Sequence, residues 1–263
     1  MKELVRVFKA IISILQQPKL VRFKGQDLQK IEDKLKSYYQ SSTSDHYYED
    51  ILALSAGGEL SHWNDMKRRH RFLELCKQAE VILDFGCGAG NLALALSNNF
   101  PTKQIFANDI GKNAGCLLKE PIPKNFTLKK TSVLNSQFDT ASFDLVISKY
   151  VIEHVVYPTD MIKEAHRILK PNGYLYLVYP HLIFRADVVT ILKELVSWAT
   201  FSRKLTYLNP QVDSDKPLLE YDDDAAWLSN HVKIQRMMKD SGFDIVANKP
   251  TQSLLIAKKR EFL

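Results

Sequence analysis

The sequence is poor in cysteine and has no long apolar run. Its three cysteines are an odd number, which argues against a disulfide framework, and no two have the spacing of metal ligands: Cys76, Cys87 and Cys116. No stretch reaches the roughly 20 apolar residues that a bilayer-spanning helix needs. The apolar run at residues 10–15 is also too short for the core of a secretory signal. We therefore expect a soluble protein of a reducing, cytoplasmic compartment, without a metal site.

Positive charge is concentrated near the N-terminus. Residues 1–40 contain nine Lys or Arg against four Asp or Glu, which accounts for five of the six net positive charges of the chain. We interpret this segment as a solvated helical extension. Peripheral contact with an anionic membrane surface is the alternative. No nucleic-acid-binding motif is recognisable, so no nucleic-acid partner is expected.

The pattern of apolar residues changes near residue 75. Before it, residues 7–15, 26–40 and 61–77 have helical patterns. After it, short apolar strand patterns alternate with helical ones, which favours a mostly parallel sheet covered on both faces. Strands are expected at 81–85, 104–110, 126–132, 143–149, 173–179, 243–248 and 253–258, the last two as antiparallel neighbours. We therefore predict a helical N-terminal extension over residues 1–75 and an α/β domain over residues 76–263.

The helices of this domain have recognisable ends. One is expected over residues 91–98, directly after a glycine-rich segment. Another is expected over residues 159–170, with Thr159 as its N-cap and Pro171 as part of the signal that stops it. A last helix ends at Gly242, before the final pair of strands.

Residues 182–221 interrupt the alternation of strands and helices. Residues 182–207 are rich in aromatic and apolar side chains, but the charged residues among them exclude a membrane-spanning helix. We interpret the stretch as an inserted helical lid over an apolar pocket, with packing in the core as the alternative. Trp63 in the extension, and Phe184 and Trp198 in the insertion, are expected to help cover a substrate.

A glycine-rich turn follows the first predicted strand. Residues 81–91 read Val-Ile-Leu-Asp-Phe-Gly-Cys-Gly-Ala-Gly-Asn, and glycines there allow a ligand to lie against the main chain. The G-x-G-x-G spacing differs from the G-x-G-x-x-G of dinucleotide sites. The carboxylate of Asp84 would repel a pyrophosphate, but it suits an ammonium group. Asp109 ends the next strand, where a carboxylate accepts hydrogen bonds from ribose hydroxyls.

Four segments in this order resemble the class I S-adenosylmethionine-dependent methyltransferases, in particular the group that includes ubiquinone- and menaquinone-pathway enzymes. They are residues 81–91, 108–110, 142–154 and 165–173, the last matching the family's R-x-L-K-P-x-G turn. The resemblance covers residues 75–180 well and residues 225–260 loosely. It implies a Rossmann-like fold, with a mostly parallel seven-stranded sheet that has an antiparallel edge strand, and S-adenosylmethionine as the cofactor.

The resemblance also implies which residues bind the cofactor. Those expected to do so are Asp84, Gly86, Cys87, Gly88, Gly90, Asn91, Asp109, Ile110, Ser132, Val133, Ser148 and Lys149. One departure concerns the segment after the third strand, where many family members have an acid that contacts the adenine amino group. Residues 131–136 contain no acid, so main-chain groups of Ser132 and Val133, or the amide of Asn135, would take its place.

Residues after the fourth and fifth strands are the candidates for contact with the methyl acceptor. His154 is the catalytic candidate, because an imidazole can take a proton near neutral pH. Tyr150 is a second catalytic candidate that would line the pocket, and Glu153 and His181 are expected to touch the substrate, as is Trp63. A packing role is the alternative for each of them.

The implied function is methyl transfer from S-adenosylmethionine to a small-molecule, lipid-linked or saccharide acceptor. The reaction releases a neutral thioether, so holding the acceptor in line matters most, and a base is needed only if the acceptor must lose a proton. Two alternatives stay open. The first is a non-catalytic binding or scaffold protein that keeps the fold, and the second, less favoured, is a nicotinamide-dependent oxidoreductase.

Overall fold

The structure is a computed structural model, which describes residues 25–41, 66–116, 118, 122–179, 206–207, 212, 218, 226–228, 231–249 and 254–261. In the described part of the chain, two helices precede the sheet, and strands and helices then alternate. The elements are α1 (Gly25–Gln40), α2 (Met66–Gln78), β1 (Val81–Phe85), α3 (Asn91–Asn99), β2 (Gln104–Asn108), β3 (Phe126–Lys129), β4 (Phe143–Lys149), α4 (Pro158–Ile168), β5 (Leu169–Val178), β6 (Thr206–Tyr207), β7 (Trp227–Leu228), α5 (His231–Asp240), β8 (Phe243–Lys249) and β9 (Leu254–Lys259). A short 3-10 turn, Ile152–His154, lies between β4 and α4.

The described strands form a seven-stranded sheet in the order β3-β2-β1-β4-β5-β9-β8. The first five strands pair in parallel, β9 is antiparallel to β5, and β8 is antiparallel to β9. The predicted Rossmann-like, mostly parallel sheet with an antiparallel edge is confirmed, and the antiparallel strand is the inner member of the hairpin at that edge. The strand order reverses between β1 and β4, the place where open α/β sheets bind ligands.

Helices cover both faces of the sheet, so its central strands are apolar along their whole length. On one face, Leu83 and Val146 belong to a core cluster with residues of α4 and α5. On the other face, Ile82 and Ile147 pack with residues of α2 and α3. Strand β1, Val-Ile-Leu-Asp-Phe, is almost entirely apolar, as a strand buried on both faces must be. Its one polar residue, Asp84, comes near the carboxyl end.

Helix α2 packs directly on the sheet. Its residues Phe72, Leu75 and Cys76 are buried in the core, and the ring of Phe72 meets the ring of Tyr176 edge to face at 5.2 Å. The proposed boundary between residues 75 and 76 falls within this helix. Among the described residues, no helix combines the length and the apolar character needed to cross a bilayer.

The passage from α4 to β5 differs from the prediction. Helix α4 begins one residue earlier, at Pro158, and the Thr159 hydroxyl does not cap it but contacts the Met237 sulfur at 3.2 Å. The helix ends at Ile168, and β5 starts at once, because Leu169 pairs with Phe143 before the register shifts. The Pro-Asn-Gly segment therefore forms an irregularity inside β5 rather than a loop before it.

A third apolar cluster, here called the cap cluster, lies apart from the two faces of the sheet. It joins one face of α1 to the segment after β4 and to parts of the 212–227 stretch. Its buried members are Ile31, Leu35, Tyr38, Val156, Val212, Leu218 and Ala226, with Leu28, Tyr39, Tyr157 and Trp227 packed against them. The predicted helix over residues 26–40 is confirmed, and the spacing of its buried residues is that of an amphipathic helix.

Candidate active site

The glycine-rich turn lies where the carboxyl ends of β1 and β2 meet. The main-chain N–H groups of Gly86 and Cys87 both donate hydrogen bonds to the carbonyl of Asn108, at 3.0 and 2.9 Å. The N–H of Gly90 donates to the Cys87 carbonyl at 2.9 Å, and α3 begins at the next residue. The main chain of β2 thus shapes the turn that precedes α3.

The three glycines of the turn serve different purposes. A Cβ atom on Gly86 would lie 2.5 Å from a methyl carbon of Val151, and one on Gly90 would lie 3.3 Å from the Cα of Gly115. These two glycines allow close packing of protein against protein. Gly88 also has a positive φ, of +51°, but a Cβ there would meet no atom of the described residues within 4 Å. The turn therefore leaves open space beside the Cα of Gly88, whose N–H and carbonyl are bonded to Asp109 and Gly115, and a ligand fits there.

Asp109 links this turn to the loop after β2. One of its carboxylate oxygens accepts a hydrogen bond from the N–H of Gly88 at 2.9 Å, and the other accepts from the N–H of Gly111 at 2.8 Å. Burial raises the pKa of Asp109, while these hydrogen bonds and the positive charge of His154 act in the opposite direction. The carboxylate is thus held against Gly88 by the main chain.

Asp84 is a buried carboxylate that is only 3% exposed. Its Oδ2 atom has no hydrogen-bond partner among the described residues. The pKa of Asp84 is raised to about 7, chiefly by burial; the Lys149 ammonium and a main-chain hydrogen bond from Ala93 act to lower it, and Asp109 acts to raise it. A buried carboxylate oxygen without a donor is costly for the free protein, and a cationic ligand would reduce that cost.

The segment after β3 is held from two sides. Asn108 of β2 donates its side-chain N–H to the Thr131 carbonyl at 3.1 Å. From α4, one oxygen of Glu164 accepts hydrogen bonds from both the N–H and the hydroxyl of Ser136, at 2.9 and 2.6 Å, and Arg167 pairs with the same carboxylate. Burial by itself would raise the pKa of Glu164, but the hydrogen bonds from Arg167 and Ser136 outweigh it, so the pKa is lowered.

Within that segment, Ser132 and Asn135 form a tight turn. The Ser132 hydroxyl accepts a hydrogen bond from the N–H of Leu134 at 3.1 Å, and its carbonyl accepts from the N–H of Asn135 at 3.2 Å. Val133 between them is 9% exposed. Since the hydroxyl of Ser132 is engaged locally, the chemistry that this turn offers a ligand is mainly that of its main chain.

The segment after β4 brings the remaining candidates to the same edge of the sheet. Ser148 is buried, and its hydroxyl has no hydrogen-bond partner among the described residues. Glu153 is 3% exposed, and one of its oxygens lies 3.8 Å from Nε2 of His154. The positive charge of His154 also acts to lower the pKa of Asp109.

Tyr150 has an unusual main-chain conformation. Its φ is +55°, a value that residues other than glycine rarely adopt, while its N–H donates to the Val178 carbonyl of β5 at 2.8 Å. The side chain is 37% exposed. Such strain persists only where neighbouring structure maintains it, and it is frequent at functional sites. Nothing in the sequence signals this conformation, because tyrosine has no preference for it.

The structure therefore brings most of the predicted site residues to one edge of the sheet. Trp63, His181, Phe184 and Trp198 lie outside the described residues. Two residues that the sequence analysis did not propose as site residues support the site. The Asn108 carbonyl shapes the glycine-rich turn, and Glu164 holds the segment after β3. A buried asparagine just before Asp109 was the one available signal for the first of them.

Comparison with known proteins agrees with this geometry. The family model described as a methyltransferase domain matches residues 83–177. Demethylmenaquinone methyltransferase of Chlamydia caviae is 29% identical over 150 residues, which are 57% of this chain and 59% of that protein. Ubiquinone biosynthesis O-methyltransferase of Coxiella burnetii is 26% identical over 133 residues, which are 49% of this chain and 55% of that protein. The chain thus spans little more than half the length of these relatives.

Residues 83–177 thus match the methyltransferase-domain family, which is the part of the chain that the comparison covers. The fold extends beyond these residues: the crystal structure of 1,6-didemethyltoxoflavin-N1-methyltransferase from Burkholderia thailandensis superposes with a TM-score of 0.52, covering 93% of this chain and 94% of that one at 12% identity. The cofactor that the resemblance implies is S-adenosylmethionine. Two observations fit it: an Asp84 oxygen without a partner among the described residues suits an ammonium group, and the open space at Gly88 leaves room for the ligand.

Proposed function

We propose that the protein transfers a methyl group from S-adenosylmethionine to a small-molecule acceptor whose hydroxyl group can ionise, such as a phenol. The observation that carries this proposal is the arrangement of two carboxylates and the open space at Gly88, followed after β4 by a Glu–His pair. The cofactor end of the site is Asp84, Gly88 and Asp109. The acceptor end is Tyr150, Glu153 and His154.

The cofactor supplies a methyl group bonded to a positively charged sulfur. Asp84 would hold its ammonium group, Asp109 its ribose hydroxyls, and the Gly88 main chain would lie against it. The flanking residues Gly86, Cys87, Gly90, Asn91 and Ile110 shape this wall, with Ser132 and Val133 on the adenine side. Ser148 and Lys149 complete the wall from β4. Each carboxylate is already oriented by the sheet, so little ordering is needed on binding.

At the acceptor end, His154 would take the proton that a hydroxyl must lose. An unperturbed imidazole titrates near neutral pH, which suits a general base. The carboxyl group of Glu153, 3.8 Å away and nearly fully buried, would stabilise the imidazolium that forms. Main-chain hydrogen bonding fixes this pair in place, because the Glu153 carbonyl accepts a hydrogen bond from the N–H of Ala226 at 2.8 Å.

The cap cluster would enclose the acceptor. Helix α1 reaches the loop after β2, where the Tyr39 carbonyl accepts a hydrogen bond from the N–H of Lys112 at 2.8 Å. The Trp227 indole donates to the Val156 carbonyl at 3.3 Å, just beyond the Glu–His pair. An apolar cover excludes water from a methyl-transfer site. We extend this proposal to the whole of residues 1–75 and 182–221, as an N-terminal extension and a lid insertion around the site.

The names of the relatives favour a phenolic acceptor. The ubiquinone-pathway relative is named an O-methyltransferase, and the demethylmenaquinone relative is named for a quinone, whose reduced form is a phenol. Such molecules can be lipid-linked. An apolar cap suits an aromatic acceptor better than a saccharide, because apolar burial stabilises the first and not the second. We rank lipid-linked phenols first, other small phenols second and saccharides third.

The test measures release of S-adenosylhomocysteine with three acceptor classes: hydroquinones with and without a short prenyl tail, a saccharide, and a primary amine. We expect turnover with the hydroquinones. His154→Gln should lower kcat by about 100-fold or more, the usual contribution of a general base, without changing the affinity for S-adenosylhomocysteine. His70→Gln, on the exposed face of α2, is the matched control and should leave kcat unchanged.

Three outcomes would contradict the proposal. Turnover restricted to the amine or the saccharide would show that the acceptor belongs to that class and is not a phenol. A His154→Gln enzyme with wild-type kcat would show that His154 is not the general base. Tight binding of S-adenosylhomocysteine with no acceptor methylated in any class would favour the non-catalytic binding protein.

A further inference from the structure

The residues between the Glu–His pair and α4 belong to no helix or strand. The 3-10 turn that carries the pair ends at Val155, which is already extended, and α4 begins only at Pro158, which has no N–H to donate. Val156 between them is 2% exposed, so its main-chain groups need partners within the protein. The contacts that fix Val156 therefore also fix the pair just before it.

Two distant segments supply these partners. The Trp227 indole N–H donates to the Val156 carbonyl at 3.3 Å. Burial raises the pKa of Glu32 in α1, and a hydrogen bond from the main chain of Val156 to its carboxylate acts to lower it. The N–H of Ala226 donates to the Glu153 carbonyl at 2.8 Å. Val156 is thus held from two sides, and the residue before Trp227 holds the pair itself.

Both segments are anchored where they make these contacts. On α1, Ile31 and Leu35 are buried in the cap cluster on either side of Glu32 in the sequence. Trp227 pairs with Tyr207 in the two-stranded sheet of β6 and β7. A side chain whose own position is fixed by packing can orient the group that it bonds to. The two segments are therefore able to set the position of the Glu–His pair.

We propose that Glu32 and Trp227 are positioning residues for the general base, which keep the imidazole of His154 in the orientation that takes the acceptor's proton. This rests on the proposed function only in taking His154 as the base. Neither side chain needs to touch the cofactor or the acceptor. Because a base acts only within hydrogen-bond reach of the proton that it takes, a small displacement of the pair lowers kcat.

The first test measures kcat and KM with a prenylated hydroquinone. Trp227→Phe keeps an aromatic ring and removes the indole N–H, and Glu32→Ala removes the carboxylate. Each should lower kcat about fivefold, the factor that one hydrogen bond contributes. KM and the affinity for S-adenosylhomocysteine should stay unchanged within about twofold. Glu32→Gln keeps an oxygen that can accept from Val156, so it should retain most of kcat.

Two control variants account for changes of charge and of stability. Asp33→Asn removes an exposed carboxylate from the same helix. Leu75→Val removes a buried methylene group in the core beneath α2, far from the cap cluster in the fold's packing, and lowers stability alone. Both should leave kcat unchanged. The proposal is overturned if Leu75→Val lowers kcat as much as Trp227→Phe does, because loss of stability would then explain both.

A double variant tests whether Trp227 acts through the base. In a His154→Gln enzyme the base is already absent, so adding Trp227→Phe should lower the residual kcat by less than about twofold. A further fivefold loss in that background would show that Trp227 acts independently of His154, and it would overturn the proposal.

A second readout needs no methyl acceptor. In the complex with S-adenosylhomocysteine, the imidazole NMR resonances of His154 should move in Trp227→Phe and Glu32→Ala, and should stay in place in Asp33→Asn and Leu75→Val. Unmoved resonances in the first two variants would overturn the proposal. Moved resonances in a protein that methylates no phenol would support the positioning role and refute the acceptor chemistry alone. An active enzyme whose kcat is unchanged in both variants would refute the positioning role alone.

Discussion

The cofactor end of the site is held by main-chain hydrogen bonds between two adjacent strands, whereas the acceptor end is held by contacts from distant parts of the chain. At the cofactor end, Gly86, Cys87 and Gly88 bond to Asn108 or Asp109, which lie about 20 residues away on the neighbouring strand. At the acceptor end, residues 153–157 are joined to α1 and to Ala226 and Trp227.

This difference has a physical consequence. Strand pairing in the buried sheet is part of the core, so the cofactor end forms whenever the domain folds. The cap cluster is a smaller group of apolar residues, and it needs segments that are far apart in sequence to come together. We therefore expect the cofactor end to tolerate little change, and the acceptor end to accept substitutions that change turnover without unfolding the protein.

The largest effect should come from Gly88. Gly88→Leu places a side chain in the open space at the turn and should weaken S-adenosylhomocysteine by about 100-fold, the upper range for steric overpacking. The fold should lose only the roughly 1–2 kcal/mol associated with a left-handed residue. Calorimetry for affinity and thermal melting for stability measure the two effects separately.

Gly86→Ala is the contrasting variant at the same turn. Its Cβ would collide with Val151, 2.5 Å away, so this substitution should lower stability by about 1–3 kcal/mol. If Gly88→Leu instead unfolded the protein while binding in the folded fraction stayed normal, the open space at Gly88 would not be a ligand site, and the contrast between the two glycines would fail.

An intermediate effect is expected from pH. In the free protein the pKa of Asp84 is about 7, raised by burial, with Lys149 and Asp109 as the neighbouring charges and the Cys87 thiol beside them. Because the ligand's ammonium group prefers the ionised carboxylate, affinity for S-adenosylhomocysteine should fall by up to about tenfold per pH unit below 7 and level off above it. Calorimetry between about pH 5.5 and 8.5 checks this.

The stability of the free protein should change in the opposite direction. The pKa of Asp84 is higher in the folded state than its ordinary value of 3.8, so the folded state binds the proton more tightly. Its contribution to stability is therefore present at low pH and is lost as pH rises from about 4 to about 7. Asp84→Asn should remove both trends, and an unchanged pH profile in that variant would assign them to another group.

The smallest effect concerns Tyr150. Tyr150→Asn should raise stability by about 1 kcal/mol, because asparagine tolerates the left-handed conformation better than tyrosine. The affinity for S-adenosylhomocysteine should stay unchanged while turnover of the acceptor falls. Chemical denaturation, calorimetry and the acceptor assay measure these three quantities.

Tyr174→Asn is the control for this substitution. Tyr174 lies on β5 without a positive φ and packs against the core, so its loss should lower stability rather than raise it. A Tyr150→Asn variant that lost affinity for S-adenosylhomocysteine would show that the two ends of the site are not separable at this residue.

Much of the fold could be predicted because its signals are local. The buried strands are apolar along their length, Gly86 to Gly90 mark a turn between a strand and a helix, and Asp109 follows the second strand directly. The start of β5 could not be predicted in this way. Pro171 and Asn172 usually end a strand or a helix, but pairing of Leu169 with Phe143 extends β5 through them.

The sequence by itself determined the alternation of strands and helices, the glycine-rich turn and the two acids beside it, because each depends on residues that are neighbours in the chain. Only the tertiary structure decided that Asp109 bonds to Gly88, that Glu164 holds the segment after β3, and that Tyr150 is forced into a left-handed conformation. These features depend on which strands pair and in which register. Register depends on matching the hydrophobic patterns of paired strands and on the turns between them, so one segment read alone does not give it.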